Sequence, residues 1–80
     1  MDITVKYFGI IADVTSKKEE TFTLSDAVNS IQSLQFHLEQ LYPEIKNTTY
    51  SLAINQKLTN QNETLQDQDE IALLPPFSGG

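Results

Sequence analysis

Between Ser30 and Pro43 the chain carries one clean run of apolar residues at helical spacing, with Ile31, Leu34, Leu38, Leu41 and Tyr42 on a single stripe. Val28 extends the stripe if the helix starts early. The segments around it alternate with a period of two or are polar. One amphipathic helix among half-buried strands buries both kinds of apolar surface by lying across one face of a sheet. Pro43 closes the helix, because the residue before a proline is pushed out of helical geometry. Its start is open, since Ser25 and Ser30 both suit an N-cap.

Asp2 to Phe8 reads as the first strand, with Ile3, Val5 and Tyr7 on one face and Thr4, Lys6 and Phe8 on the other. Gly9 to Ser16 has no clean period, and Thr15 to Lys18 reads as a polar turn. A second strand spans Glu19 to Leu24, with Phe22 and Leu24 inward, and pairs with the first as a hairpin. After the helix, Tyr50, Leu52 and Ile54 alternate inward, Asn55-Gln56 is a tight turn, and Lys57-Leu58-Thr59 follows. Asn60 to Asp69 is polar around one anchor, Leu65. Asp67-Gln68-Asp69 turns into a last strand, Glu70 to Leu74. The order is two strands, one main helix, then two or three strands, which gives an α+β fold with a mixed sheet.

Eighty residues support one domain with a single core. With no cysteine, disulfides, thiolate zinc sites and thiol chemistry are all excluded. Met1-Asp2-Ile3-Thr4 is no secretory leader and no apolar run approaches a membrane span, so the expectation is a soluble cytoplasmic protein. The formal charge of -6, from eleven acidic residues against five lysines, repels phosphate backbones and anionic lipid. Neither nucleic acid nor membrane is an expected partner.

Catalytic side chains are scarce. His37, the only histidine, has no cysteine or second histidine to complete a triad or a metal set. Asp67, Asp69 and Glu70 lack the length, glycine and distal glutamate of a calcium loop and read as a solvated turn. The acceptor patterns at Asn47 and Asn62 matter only in a secreted chain. Glu19 and Glu20 beside Lys17 and Lys18 read as a solvated hairpin tip, and Phe36 as a lone exposed apolar residue.

What remains is the ending, Leu74-Pro75-Pro76-Phe77-Ser78-Gly79-Gly80. Two prolines stop strand pairing and hold the backbone extended. Beyond them only Phe77 has bulk, and Gly79-Gly80 can enter a channel too narrow for any other residue. Five residues from Pro76 onward reach roughly 17 Å when extended. The division is therefore a domain over residues 1–76 and a tail over 77–80, with the carboxylate of Gly80 as the one group whose presentation asks for an explanation.

The helix end Leu41-Tyr42-Pro43, then Ala53-Ile54-Asn55, Asp69-Glu70 and the Pro-Pro-x-x-Gly-Gly ending together resemble the small-subunit family of molybdopterin synthase, over the full chain. Ser16 and Gln68 depart from it, standing where members often have glycine. The resemblance implies the ubiquitin-like β-grasp fold and a sulfur carrier. An activating enzyme would use ATP to adenylate Gly80, and a persulfide sulfur would displace AMP to leave a thiocarboxylate. The large subunit, in a heterotetramer of two small and two large chains, would supply the catalytic side chains. There the sulfur would pass to cyclic pyranopterin monophosphate and form the dithiolene of molybdopterin. This chain would bind no cofactor or metal itself. Pro75, Pro76, Phe77, Ser78 and Gly79 would be the tail read by the partners. The alternatives are a ubiquitin-like protein modifier, a thiamine-pathway sulfur carrier, and a plain interaction module.

Alternation adds a surface. If Ile3, Val5, Tyr7, Ile71 and Leu73 face the core, then Phe8 and Leu74 face outward. In a β-grasp sheet the first and last strands are neighbours, so Phe8 and Leu74, with Leu58 beside them, would form an apolar patch at the root of the tail. That patch is the expected partner interface.

Overall fold

The computed structural model of the protein describes residues 1–59 and 61–75. In chain order these form β1 (Asp2–Tyr7), α1 (Ile10–Thr15), β2 (Glu19–Thr23), α2 (Ile31–Leu41), a 3-10 helix (Pro43–Asn47), β3 (Ser51–Ile54), β4 (Lys57–Thr59) and β5 (Glu70–Leu74). The sheet order is β2-β1-β5-β3-β4. β1 and β5 run parallel at its centre, with Val5 opposite Ile71 and Tyr7 opposite Leu73, and the other pairs are antiparallel. The sheet is thus mixed, as expected, and the first and last strands are neighbours.

The period-two pattern explains the core. Ile3, Val5 and Tyr7 of β1 and Ile71 and Leu73 of β5 are buried, as are Ile31, Leu34 and Leu38 of α2, and all belong to one cluster. Ser30, not Ser25, caps α2: its side chain accepts from the Ser33 N–H at 3.3 Å. The next donor, the Gln32 N–H, bonds Asn62 Oδ1 at 2.9 Å, so the polar segment after β4 completes the cap. Leu65 fastens that segment, buried and with its N–H on the Asn29 carbonyl at 2.8 Å. Ser25 instead closes a turn, its carbonyl accepting from the Val28 N–H at 3.0 Å.

Four expectations are corrected. The stretch after β1 is not irregular but contains α1, whose two buried residues, Ile11 and Thr15, are one turn apart. Six residues are too few to show a period. The 3-10 helix after Pro43 also went unread, although its Ile45 is fully buried. Leu41, at the edge of the α2 stripe and in its last turn, is 49% exposed rather than core. His37, which helical spacing puts on the polar side of α2, is half-buried with its ring edge-to-face against Phe22.

Candidate functional site

The two faces of the sheet differ. Helix α2 covers one; on the other, the alternation that buries Ile71 and Leu73 turns Ala72 and Leu74 outward. Across the ladder Ala72 pairs with Ala53 and with Lys6, and Ala53 pairs with Leu58 of β4. Small side chains at Ala53 and Ala72 form a floor, and Phe8, Leu58 and Leu74 stand around it. Together they line a depression of about 330 Å³. Phe8 is 44% and Leu58 62% exposed, while Leu74 is half-buried. Lys6 and Glu70 close one rim, Nζ to carboxylate 3.3 Å apart. Phe8, Leu58 and Leu74 thus come together on one surface. Ala53 and Ala72 were not singled out, though their positions between inward-facing residues were the available signal.

This surface adjoins the end of β5. The Phe8 N–H donates to the Leu73 carbonyl at 3.2 Å, and Pro75, lacking an N–H, cannot extend the ladder. The Pro75 ring lies against Gly9, where an added Cβ would be 3.0 Å from Pro75 Cγ and 3.3 Å from its Cβ. Gly9 has φ 58° and ψ -134°, a conformation reserved almost entirely for glycine. Sequence reasoning passed over Gly9; a glycine directly after a strand was the cue. Pro76, the last residue of the expected domain, and the expected tail, Phe77, Ser78, Gly79 and Gly80, lie outside the described residues.

Glu20 is a correction. It is no solvated tip: its side chain is 16% exposed and accepts from Tyr7 and Tyr42 hydroxyls and from Lys17 Nζ. Burial would push its carboxyl up, but these three donors prevail and hold it below the usual glutamate range. Burial, reinforced by the same carboxylate, pushes the Tyr7 hydroxyl well above the ordinary tyrosine range. Partial burial pushes the Tyr50 hydroxyl, which donates to Glu39 while accepting from Gln35, up to about 12.

The acidic turn before β5 is structural. Asp67 accepts the Asp2 N–H at 2.7 Å, which holds its carboxyl below the usual range. Asp69 accepts from Asn55 Nδ2 and the Gln66 N–H. Among the described residues no group of three or more histidine, aspartate or glutamate side chains is placed to hold a metal. Nor is any helix there long and apolar enough to cross a membrane.

The family model described as the ThiS family matches residues 5–80. The chain belongs to the ThiS family. Within it, the chain is 33% identical to the molybdopterin synthase sulfur carrier subunit of Chlamydomonas reinhardtii, over 100% of both chains. Its fold matches that of molybdopterin converting factor subunit 1 from Pyrococcus furiosus, with a TM-score of 0.85 at 20% identity, over 96% of this chain and 99% of that one. A Helicobacter pylori structure, a complex of subunits 1 and 2 of the molybdopterin-converting factor, matches at 28% identity and TM-score 0.73 over 100% of both chains. The fold of this ThiS-family chain is the ubiquitin-like β-grasp, with α2 held across the mixed sheet.

Proposed function

We propose that this protein is the sulfur carrier subunit of a molybdopterin synthase, acting in molybdenum cofactor biosynthesis. The observation that carries this is the likeness to a named carrier subunit over the full length of both chains. The Gly79-Gly80 ending supports a finer statement, that sulfur travels as a thiocarboxylate on Gly80. A carboxylate is a poor acyl donor, so an ATP-dependent activating enzyme first makes the acyl-adenylate with release of pyrophosphate. The terminal sulfur of an enzyme persulfide then attacks the acyl carbon and AMP leaves, and a thiol cleaves the S–S bond of the resulting acyl disulfide, releasing the thiocarboxylate as the two enzyme sulfurs are oxidised to a disulfide. Inside the large subunit the sulfur passes to cyclic pyranopterin monophosphate, and two such deliveries make one dithiolene. The chain binds no cofactor; ATP belongs to the activating enzyme. The assembly is a heterotetramer of two small and two large subunits in the cytoplasm.

The patch of Phe8, Leu58 and Leu74 is the surface on which the activating enzyme and the large subunit dock in turn. An exposed apolar depression bordered by an ion pair, beside the strand that leads into the tail, suits that role. Both partners use one surface, so they exclude each other. The direct test is intact-mass analysis after incubation with activating enzyme, ATP and a sulfur source, followed by addition of the large subunit and pterin. The expected result is an oxygen-to-sulfur mass gain at the C-terminal residue that disappears as molybdopterin forms. An isopeptide adduct on target lysines without that gain supports a protein modifier instead.

A further inference from the structure

We propose that Gly9 is a positioning residue for sulfur transfer: the space left by its missing side chain seats the Pro75 ring and sets the direction in which the tail is presented. This rests on the chain being a sulfur carrier, and it assigns a role to a corner of the fold remote in sequence from the tail.

Pro75 is the first residue past the ladder. Leu74 still pairs with Ser51, and the Phe8 N–H reaches Leu73, but Pro75 has no donor to offer. The packing of its ring on Gly9 is therefore the contact that orients it. Gly9, in turn, is held from behind. Its carbonyl accepts from the Ala12 N–H at 3.1 Å and the Asp13 N–H at 3.4 Å, and the Phe8 carbonyl accepts from the Ile11 N–H at 3.1 Å. Ile11 is fully buried, which pins α1 to the core. With the corner fixed, a methyl group at residue 9 has to displace the proline.

Lever length makes a small displacement matter. Five residues span roughly 17 Å when fully extended, so in that limit a turn of about 20° at Pro75 would move the C-terminal carboxylate by roughly 6 Å. Misplacement of a reacting group by about 1 Å can cost about a hundredfold in rate. The outer-face patch and this corner thus divide the work: Phe8, Leu58 and Leu74 set how tightly a partner is held, and Gly9 sets where the reactive end lies while it is held.

The test uses Gly9→Ala and Pro75→Ala, the second of which introduces no backbone strain. Because the chain has no cysteine, spin labels at Gln40→Cys and Phe77→Cys report the exit direction of the tail through their distance distribution, independently of any chemistry. Chains made directly as thiocarboxylates then give the affinity for the large subunit and the single-turnover rate of sulfur transfer at saturation. The expected result is a shifted or broadened label distance in both variants and transfer slowed at least about tenfold in both, with the affinity of Gly9→Ala within about threefold of wild type. The double variant should be no worse than Pro75→Ala alone, since Gly9 acts through Pro75. An unchanged label distance in both variants overturns the proposal, as does wild-type transfer in a variant whose tail has shifted, or additive losses in the double variant. A shifted distance in a protein whose wild-type thiocarboxylate transfers no sulfur instead removes the sulfur-carrier function and leaves the seating of the tail established.

Discussion

Tyr7 and Tyr42 donate their hydroxyls to the same carboxylate oxygen of Glu20, each at 2.6 Å, with their rings edge-to-face at a centroid distance of 6.1 Å. The cluster ties β1 and β2 to the end of α2. Because Glu20 has its carboxyl lowered in the folded state, its contribution is present above the ordinary glutamate value of 4.5 and is lost as pH falls through the folded value. Asp67 acts in the same direction. Tyr7 and Tyr50 are raised, so their contribution is full below the ordinary tyrosine value of 10.0 and is lost as pH rises above it. Urea denaturation across pH should therefore show a plateau that falls on both sides. Glu20→Gln should cost about 1–2 kcal/mol at neutral pH and flatten the acid limb. An acid limb as steep as in wild type would place its origin elsewhere.

Ser16 and Gln68, the two departures from the family pattern, both sit at positive φ, 61° and 72°. Gln56 does too, at 73°, in the turn joining β3 to β4. Glycine adopts such angles without steric cost. Ser16→Gly, Gln56→Gly and Gln68→Gly should each stabilise the fold by about 0.5–1 kcal/mol, partly offset by the greater freedom of glycine in the unfolded chain, and raise Tm by a few degrees. Differential scanning calorimetry decides it; a lower Tm in all three would show that their side chains contribute more than the strain costs.

Among the described residues the buried core runs from Ile3 to Leu73. Removing Gly79 and Gly80 should therefore leave thermal unfolding nearly unchanged while abolishing sulfur loading. Gly79→Ala should keep the fold and be much less active if the ending threads a channel that admits only glycine. Thermal melts and intact-mass loading assays on the same samples separate stability from chemistry, and wild-type transfer rates with Gly79→Ala would remove the channel from the mechanism.

Phe8→Glu, Leu58→Glu and Leu74→Glu should weaken binding to both the activating enzyme and the large subunit. Burying each such side chain contributes about 1.5–2.5 kcal/mol, so each variant is expected to lose roughly ten- to seventyfold in affinity. Phe8 and Leu58 are exposed enough for their variants to fold. Isothermal titration of folded protein checks it, and undiminished affinity for the large subunit would move the interface off this face.

Where alternation or a proline acts locally, the sequence was readable. β1, the end of α2 and the outward-facing Phe8 and Leu74 follow from period and punctuation, while the placing of those two on neighbouring strands came from the resemblance. Short elements were not. α1 buries only Ile11 and Thr15 and the 3-10 helix only Ile45, and that burial depends on partners distant in the chain. Glu20 misled for a related reason. A glutamate beside two lysines looks solvated until two tyrosines, one from β1 and one from the end of α2, converge on it. A glycine directly after β1 marks a break, but what Gly9 packs against could not be read locally, because it is Pro75, at the far end of the chain.

The strand that leads into the tail is interior, with β1 on one side and β3 on the other. A pull on the tail along β5 is therefore resisted in shear, by two rows of backbone hydrogen bonds loaded together, rather than by an edge strand that peels away one bond at a time. A partner can grip, draw in and release the end of this chain repeatedly while the domain behind it serves as a stiff handle.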